Sequence, residues 1–256
     1  MTSTPPTGHT EPVDPTETSD QPLAGVPDHP EEPDHPSVVE EAVARLKPRL
    51  RGWLHFSAAP LALVLGLILM VFTQEQDLRA ALAVYLCSTV LLFGVSAAYH
   101  LGAGRPPVNR FLRRLDHANI YLFIAGSYTP FAVALPDRTT GITILVLVWT
   151  IALVGLLLPI LWLHAPRWLV AGSYIALGWV AVFYLGPLLQ HGGPAIVTLI
   201  ATGGLLYTLG ALVYGIKRPN PSPRWFGFHE IFHAFTVAAF IAHYVAASMT
   251  VYSYGA

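Results

Sequence analysis

Two histidines four residues apart, His229 and His233, open the last apolar stretch of the chain in Phe228-His229-Glu230-Ile231-Phe232-His233. On a helix that spacing stacks both imidazoles on one face, a geometry suited to a single metal ion. The same spacing recurs upstream in Ser96-Ala97-Ala98-Tyr99-His100, and the next apolar stretch begins with Asp116. Three imidazoles with one open position have the composition of a catalytic zinc site, where a water with a pKa of about 7 takes the fourth place. A carboxylate nearby can hold or deprotonate that water, and a serine hydroxyl can donate to a developing oxyanion. Zinc is favoured over magnesium or calcium because imidazole is a borderline-soft ligand, whereas those ions prefer oxygen. A single histidine on an apolar helix more often satisfies a local hydrogen bond, but several ionisable groups meeting in one layer point to function.

Those side chains need elements to position them, and the composition says which kind. With 54% hydrophobic and 11% charged residues, the chain is built for a membrane rather than for water. Ten of its fifteen acidic residues fall in the first 41 positions, among prolines and threonines and with few large apolar side chains. Such a stretch cannot bury enough surface to offset the entropy of ordering, so residues 1–46 are expected to form a disordered, acidic, Pro-rich tail. It has neither the basic start nor the apolar run of a cleaved secretory signal. No basic stripe of the kind that binds phosphate backbones is present, which argues against a nucleic-acid partner. Cys87 is the only cysteine, so no intrachain disulfide can form.

From about Trp53 onward the chain is a series of apolar runs, each long enough for a hydrocarbon core that takes roughly 20 helical residues. Seven are expected: Trp53 to Thr73, Ala80 to Leu101, Leu115 to Leu135, Gly141 to Leu163, Trp168 to Leu189, Pro194 to Ile216 and Phe228 to Val251. The fold class is therefore all-α, a seven-transmembrane helix bundle with short connections that make consecutive helices antiparallel neighbours. Lys and Arg near span ends stay on the cytoplasmic side. Of the fourteen cations only Arg79 and Arg138 lie on one side of this arrangement. The N-terminus is thus expected in the cytoplasm, the C-terminus outside, and the protein in the cell membrane as a multi-pass component. That topology puts His100, Asp116, His229 and His233 in the same leaflet, with Ser96 one turn deeper than His100 and on its face.

The pattern of Ser-x3-His in the second span, Asp at the start of the third and His-x3-His in the seventh resembles the hemolysin III group of the progestin and adipoQ receptor family, which belongs to a superfamily with the alkaline ceramidases. The resemblance covers roughly residues 47–256. It is reinforced by Gly126-Ser127-Tyr128-Thr129-Pro130, which is similar to the family's Gly-Thr-Tyr-Thr-Pro stretch. It implies zinc held by His100, His229 and His233, water near Asp116, and Ser96 just behind the ligands. One departure is plain: where the family often has Glu-x-Asn-x3-His leading into the first span, His55 here follows Arg49 and Arg51.

Other polar residues read differently. His55 lies in the same layer, as a partner of the site or as a structural hydrogen-bonding residue. His117 follows Asp116 and so points about 100° away on a helix, while Glu230 turns from His229 in the same way toward a neighbouring helix or the rim. His243, roughly 15 Å beyond His233 along a helix, is too far to share its metal. Two function classes follow. One is a zinc-dependent hydrolase of a lipid amide or ester, with Asp116 as base, Ser96 as oxyanion donor and the lipid substrate entering from the bilayer. The other is a non-enzymatic regulator of membrane state, a receptor or a pore-forming haemolysin, with zinc only tying helices together.

Overall fold

The computed structural model describes residues 1–2, 48–102, 105–162, 164–222 and 224–254. The chain divides into two units, Met1–Glu41 and Ala42–Ala256, and every helix named below lies in the second. The expected tail, together with Arg45 and Lys47, lies outside the described residues apart from Met1 and Thr2.

Among the described residues the architecture is helical throughout, apart from one isolated bridge between Ser222 and Phe226. Helix α1 spans Trp53–Phe72, α2 Gln76–Leu101 and α3 Pro106–Val133. Next come α4, Arg138–Gly155, and a single turn α5, Leu157–Leu161. Helix α6, Arg167–Gly178, runs through a 3-10 segment, Trp179–Tyr184, into α7, Leu185–Ile216, and α8 covers Phe228–Tyr254. Among the described residues, five stretches are long and apolar enough to cross a membrane: Trp53–Phe72, Gln76–Leu101, Arg138–Leu161, Arg167–Ile216 and Phe228–Ser253. Helix α3 is not among them: Arg110, Arg113 and Arg114 charge its start, and Asp116, His117, Asn119, Ser127 and Thr129 keep the remainder too polar.

The element bounds differ from the hydropathy reading where local chemistry intervenes. Helix α3 starts at Pro106, well before Leu115, because Pro106 and Pro107 occupy the first helical positions, where a missing N–H costs nothing. Asp137 caps α4 by accepting from the Thr139 and Thr140 amides at 3.1 and 3.3 Å. The Thr140 hydroxyl, then the Thr139 amide, hold its carboxyl below the usual range. The fourth apolar run breaks after Gly155, whose carbonyl would have met the ring of Pro159 instead of an N–H. Further on, Gly193 adopts φ 76°, ψ 173°, and Pro194 restarts the helix, so α7 consists of two helical pieces.

The fifth apolar run is interrupted for a different reason. Tyr128 reaches out of α3, its hydroxyl donating to the Gly178 carbonyl at 2.6 Å and accepting from the Ala181 amide at 2.7 Å. A side chain inserted into the backbone ladder is a recognised cause of a break, and here the helix passes into 3-10 form at that point.

Packing follows chain order, with α1 against α2, α2 against α3 and α7 against α8, and α1 also meets α8. Helix α3 is the hub, touching α2, α4, α5, α6 and α8. One apolar cluster is built around Phe93, Phe123 and Phe240, another around Tyr121, Val148 and Leu177. Gly126 permits the close approach of α3 to α2, since a Cβ there would lie 2.1 Å from the Ser88 hydroxyl. The outer surface carries large apolar residues such as Val71, Leu161 and Phe183, more than 70% exposed, as a lipid-facing surface requires.

Candidate metal centre

The site lies where the start of α8 meets the end of α2. Helix α8 begins with one half of a capping box: Glu230, in its first turn, turns back so that Oε2 accepts from the Gly227 amide at 2.8 Å. Its other oxygen, Oε1, accepts from Arg51 Nε at 3.0 Å. Glu230 is fully buried, so the reading that it faces a neighbour or a rim gains a specific partner. Arg51 belongs to a strap ahead of α1, tied by the Arg49 amide to the Arg224 carbonyl at 2.9 Å and by the Leu50 amide to the Trp225 carbonyl at 3.3 Å. The Arg49 guanidinium lies 4.9 Å from the centre of the Trp225 ring. Gly52 ends the strap with φ 88° and leaves 2.8 Å between a hypothetical Cβ and the His100 Cβ, so glycine is needed there twice over.

This frame brings three imidazoles together. His100, His229 and His233 each offer one ring nitrogen, and the three lie within 4.8 Å of one another. His229 Nε2 and His100 Nε2 are 3.0 Å apart, close to the roughly 3.3 Å edge of a tetrahedron with zinc–nitrogen bonds of about 2.0 Å. His233 is buried and its Nδ1 finds no hydrogen-bond partner among the described residues, an unsatisfied nitrogen that a ligated ion or a water would occupy. The donor set therefore fits a zinc ion, with imidazole favouring it over harder cations.

Asp116, buried at the start of the apolar half of α3, places Oδ2 3.8 Å from His100 Nε2. The Ser96 hydroxyl is in hydrogen-bonding reach of the Asp116 carboxylate, which orients that carboxylate. His117 is not one of the three clustered imidazoles: its Nδ1 bonds the Arg113 carbonyl at 2.8 Å and lies 3.9 Å from Asp116 Oδ2, and its Nε2 bonds the Tyr214 hydroxyl at 3.1 Å. The carbonyl can only accept, so neutral His117 carries its proton on Nδ1 and Tyr214 donates to Nε2. His55 stacks on His233, ring centres 3.8 Å apart and planes 15° from parallel, with neither ring nitrogen hydrogen-bonded to a described residue. It thus belongs to the layer by stacking. His243 sits far along α8, its Nε2 3.2 Å from the Ile200 carbonyl.

A cavity of about 370 Å³ opens onto Asp116, His229 and His233 and runs on past Ile124, Phe232 and His243. Its walls are mostly apolar, with Ser127, Thr208 and His243 among the polar side chains away from the histidine cluster. The Arg51–Glu230 pair could not be read from the sequence, since the partners are 179 positions apart and no periodicity joins them.

A family model described as Haemolysin-III related matches residues 43–244 of the chain. The chain belongs to this family. It is 31% identical over 165 residues to Hemolysin-3 of Bacillus cereus, covering 62% of this chain and 74% of that protein. With the Hemolysin-3 homolog of Bacillus subtilis it shares 34% identity over 126 residues, 49% of this chain and 56% of the relative. An Adiponectin receptor protein of Drosophila melanogaster is 28% identical over 193 residues, 67% of this chain and 42% of that protein. The hemolysin III resemblance carried by the Ser, His and Asp pattern is thereby borne out, within the progestin and adipoQ receptor family. With its five apolar stretches, this hemolysin III member is a multi-pass membrane protein.

Proposed function

We propose that this hemolysin III protein is a zinc-dependent hydrolase of a lipid amide or ester, with zinc held by His100, His229 and His233. The observation that carries the reading is the meeting of three imidazoles and a buried carboxylate at one end of an apolar cavity. A metal that only tied α2 to α8 would need neither the cavity nor the carboxylate. When bound, zinc supplies an activated water by lowering its pKa to about 7. The chain does the remainder: Asp116 Oδ2 accepts the proton, Ser96 fixes the orientation of that carboxylate, and the apolar walls exclude bulk water and hold the acyl chain.

The proposed setting is seven spans in the cell membrane, with the N-terminus cytoplasmic and the C-terminus outside. Support comes from the cation asymmetry and from the length of Arg167–Ile216, whose 50 residues would make roughly 75 Å of straight helix against a core of about 30 Å. Gly193 divides that stretch.

The deciding experiment is Asp116→Asn in purified, zinc-loaded protein assayed on a panel of lipid amides and esters. Zinc should remain bound while turnover falls by roughly 10² to 10⁴. Turnover at the parent rate, or a zinc-loaded parent inert toward the whole panel, would sink the hydrolase reading.

A further inference from the structure

A second cavity, about 240 Å³, lies beyond the histidine layer and has a different character. It is enclosed by Arg113 and His117 of α3, Trp162 and His164 of the turn between α5 and α6, Arg167 at the start of α6, and Tyr214 of α7. Two guanidiniums and two imidazoles thus face one small space from three sides. Among the described residues neither Arg113 nor Arg167 forms an ion pair with a carboxylate. The acid nearest in sequence, Asp116, directs Oδ2 toward His100 and His117. Both guanidiniums are in electrostatic reach of Tyr214, and Arg167 lies 5.7 Å from the centre of its ring. Stacking of this kind holds a guanidinium in place while leaving its N–H fork free to donate.

We propose that this cleft binds a phosphate group, presented as the headgroup of a lipid. Guanidinium forks match phosphate oxygens in pairs, and donors arriving from several walls suit a tetrahedral anion better than a planar carboxylate. The lipid source is favoured by position. His117 and Tyr214, joined by their hydrogen bond, form a wall common to both cavities, so a headgroup on the basic side stands next to the apolar space. Trp162 and the arginines are also the residue types that settle at headgroup depth. The inference rests on the apolar cavity being a lipid site, and it adds that the lipid is anionic and phosphorylated.

Binding can be read without hydrolysis, which separates a failure of this inference from a failure of the hydrolase reading. Full-length protein in detergent is titrated with dihexanoyl phosphatidic acid, with dihexanoylglycerol and with inorganic phosphate, and bound ligand is counted by native mass spectrometry. The phosphorylated lipid should bind roughly tenfold more tightly than the neutral one, and the combined change Arg113→Gln with Arg167→Gln should abolish that preference. The control Arg105→Gln with Arg110→Gln removes two exposed charges from the start of the same helix and should leave the affinity within about twofold. Arg113→Lys with Arg167→Lys keeps the charge but not the fork, is the gentler change for folding, and should give an intermediate affinity. Competition by millimolar inorganic phosphate would identify free phosphate as a sufficient ligand, whereas its failure to compete would identify the lipid-borne group. Equal binding of the two lipids, or an equal loss in the control, would overturn the proposal.

Discussion

Replacing Arg51 with alanine tests how the metal-binding helix is anchored. The change removes the Nε partner, 3.0 Å away, of a carboxylate whose side chain is 1% exposed. Glu230 would keep its other bond, from the Gly227 amide, but would carry a buried charge with no counter-charge beside it. Removing one partner of a fully buried pair costs about 3–5 kcal/mol, and an exposed pair is worth less than about 1 kcal/mol. Arg51 is 24% exposed, so water reaches its side of the pair and the expected cost is about 2–3 kcal/mol. For a domain of this size each kcal/mol moves Tm by about 2–4 °C, which gives a drop of roughly 4–12 °C. The six tryptophans make intrinsic fluorescence of the detergent-solubilised protein a suitable probe of unfolding. Glu230→Gln is the informative comparison, because the amide can still accept from Gly227 and the orphaned guanidinium is partly solvated; its cost should be nearer 1 kcal/mol. Arg51→Ala melting within about 1 °C of the parent, or Glu230→Gln proving the worse of the two, would refute this reasoning.

Three further outcomes are expected. Purified protein should carry close to one zinc, and His229→Ala or His233→Ala should lose it, since removing a ligand weakens binding more than the 10 to 100-fold typical of a supporting residue; elemental analysis showing stoichiometric zinc in the double variant would exclude this centre. Gly126→Ala should lower stability by about 1–3 kcal/mol through collision with Ser88, whereas Gly94→Ala, with nothing within 4 Å of its added Cβ, should not, and thermal melting compares them directly. A reporter fused after Ala256 should read as external and one at Met1 as cytoplasmic; both on one side would contradict seven spans.

The spacing rules carried far for the site because they depend only on helix geometry. Ser96 and His100 are one turn apart, as are His229 and His233; depth relative to the expected span ends gave Asp116 and His100 no more than a common leaflet, and it is the structure that brings Oδ2 to 3.8 Å from His100 Nε2. What periodicity could not supply was anything fixed by contact between distant segments. The stacking of His55 on His233, the hold of Arg51 on Glu230 and the cleft joining Arg113 to Arg167 each depend on helices meeting sideways. Helix bounds were legible where the change of polarity and the helix end coincide, and illegible where they part. Hydropathy cannot see the basic first turns of α3, nor a change from α to 3-10 geometry inside an unbroken apolar run.

That last change places an unusual demand on one side chain. In water, a helix that loses its ladder for a turn can borrow hydrogen bonds from solvent; within hydrocarbon no such loan exists. Tyr128 stands in for the solvent, its single hydroxyl serving the Gly178 carbonyl and the Ala181 amide at once. Phenylalanine would fill the same volume yet remove both of these hydrogen bonds, and serine or threonine would be too short to reach them. The tyrosine of the Gly-Ser-Tyr-Thr-Pro stretch is therefore a requirement of the interrupted segment opposite it, and any relative able to dispense with that tyrosine should also have an uninterrupted helix there.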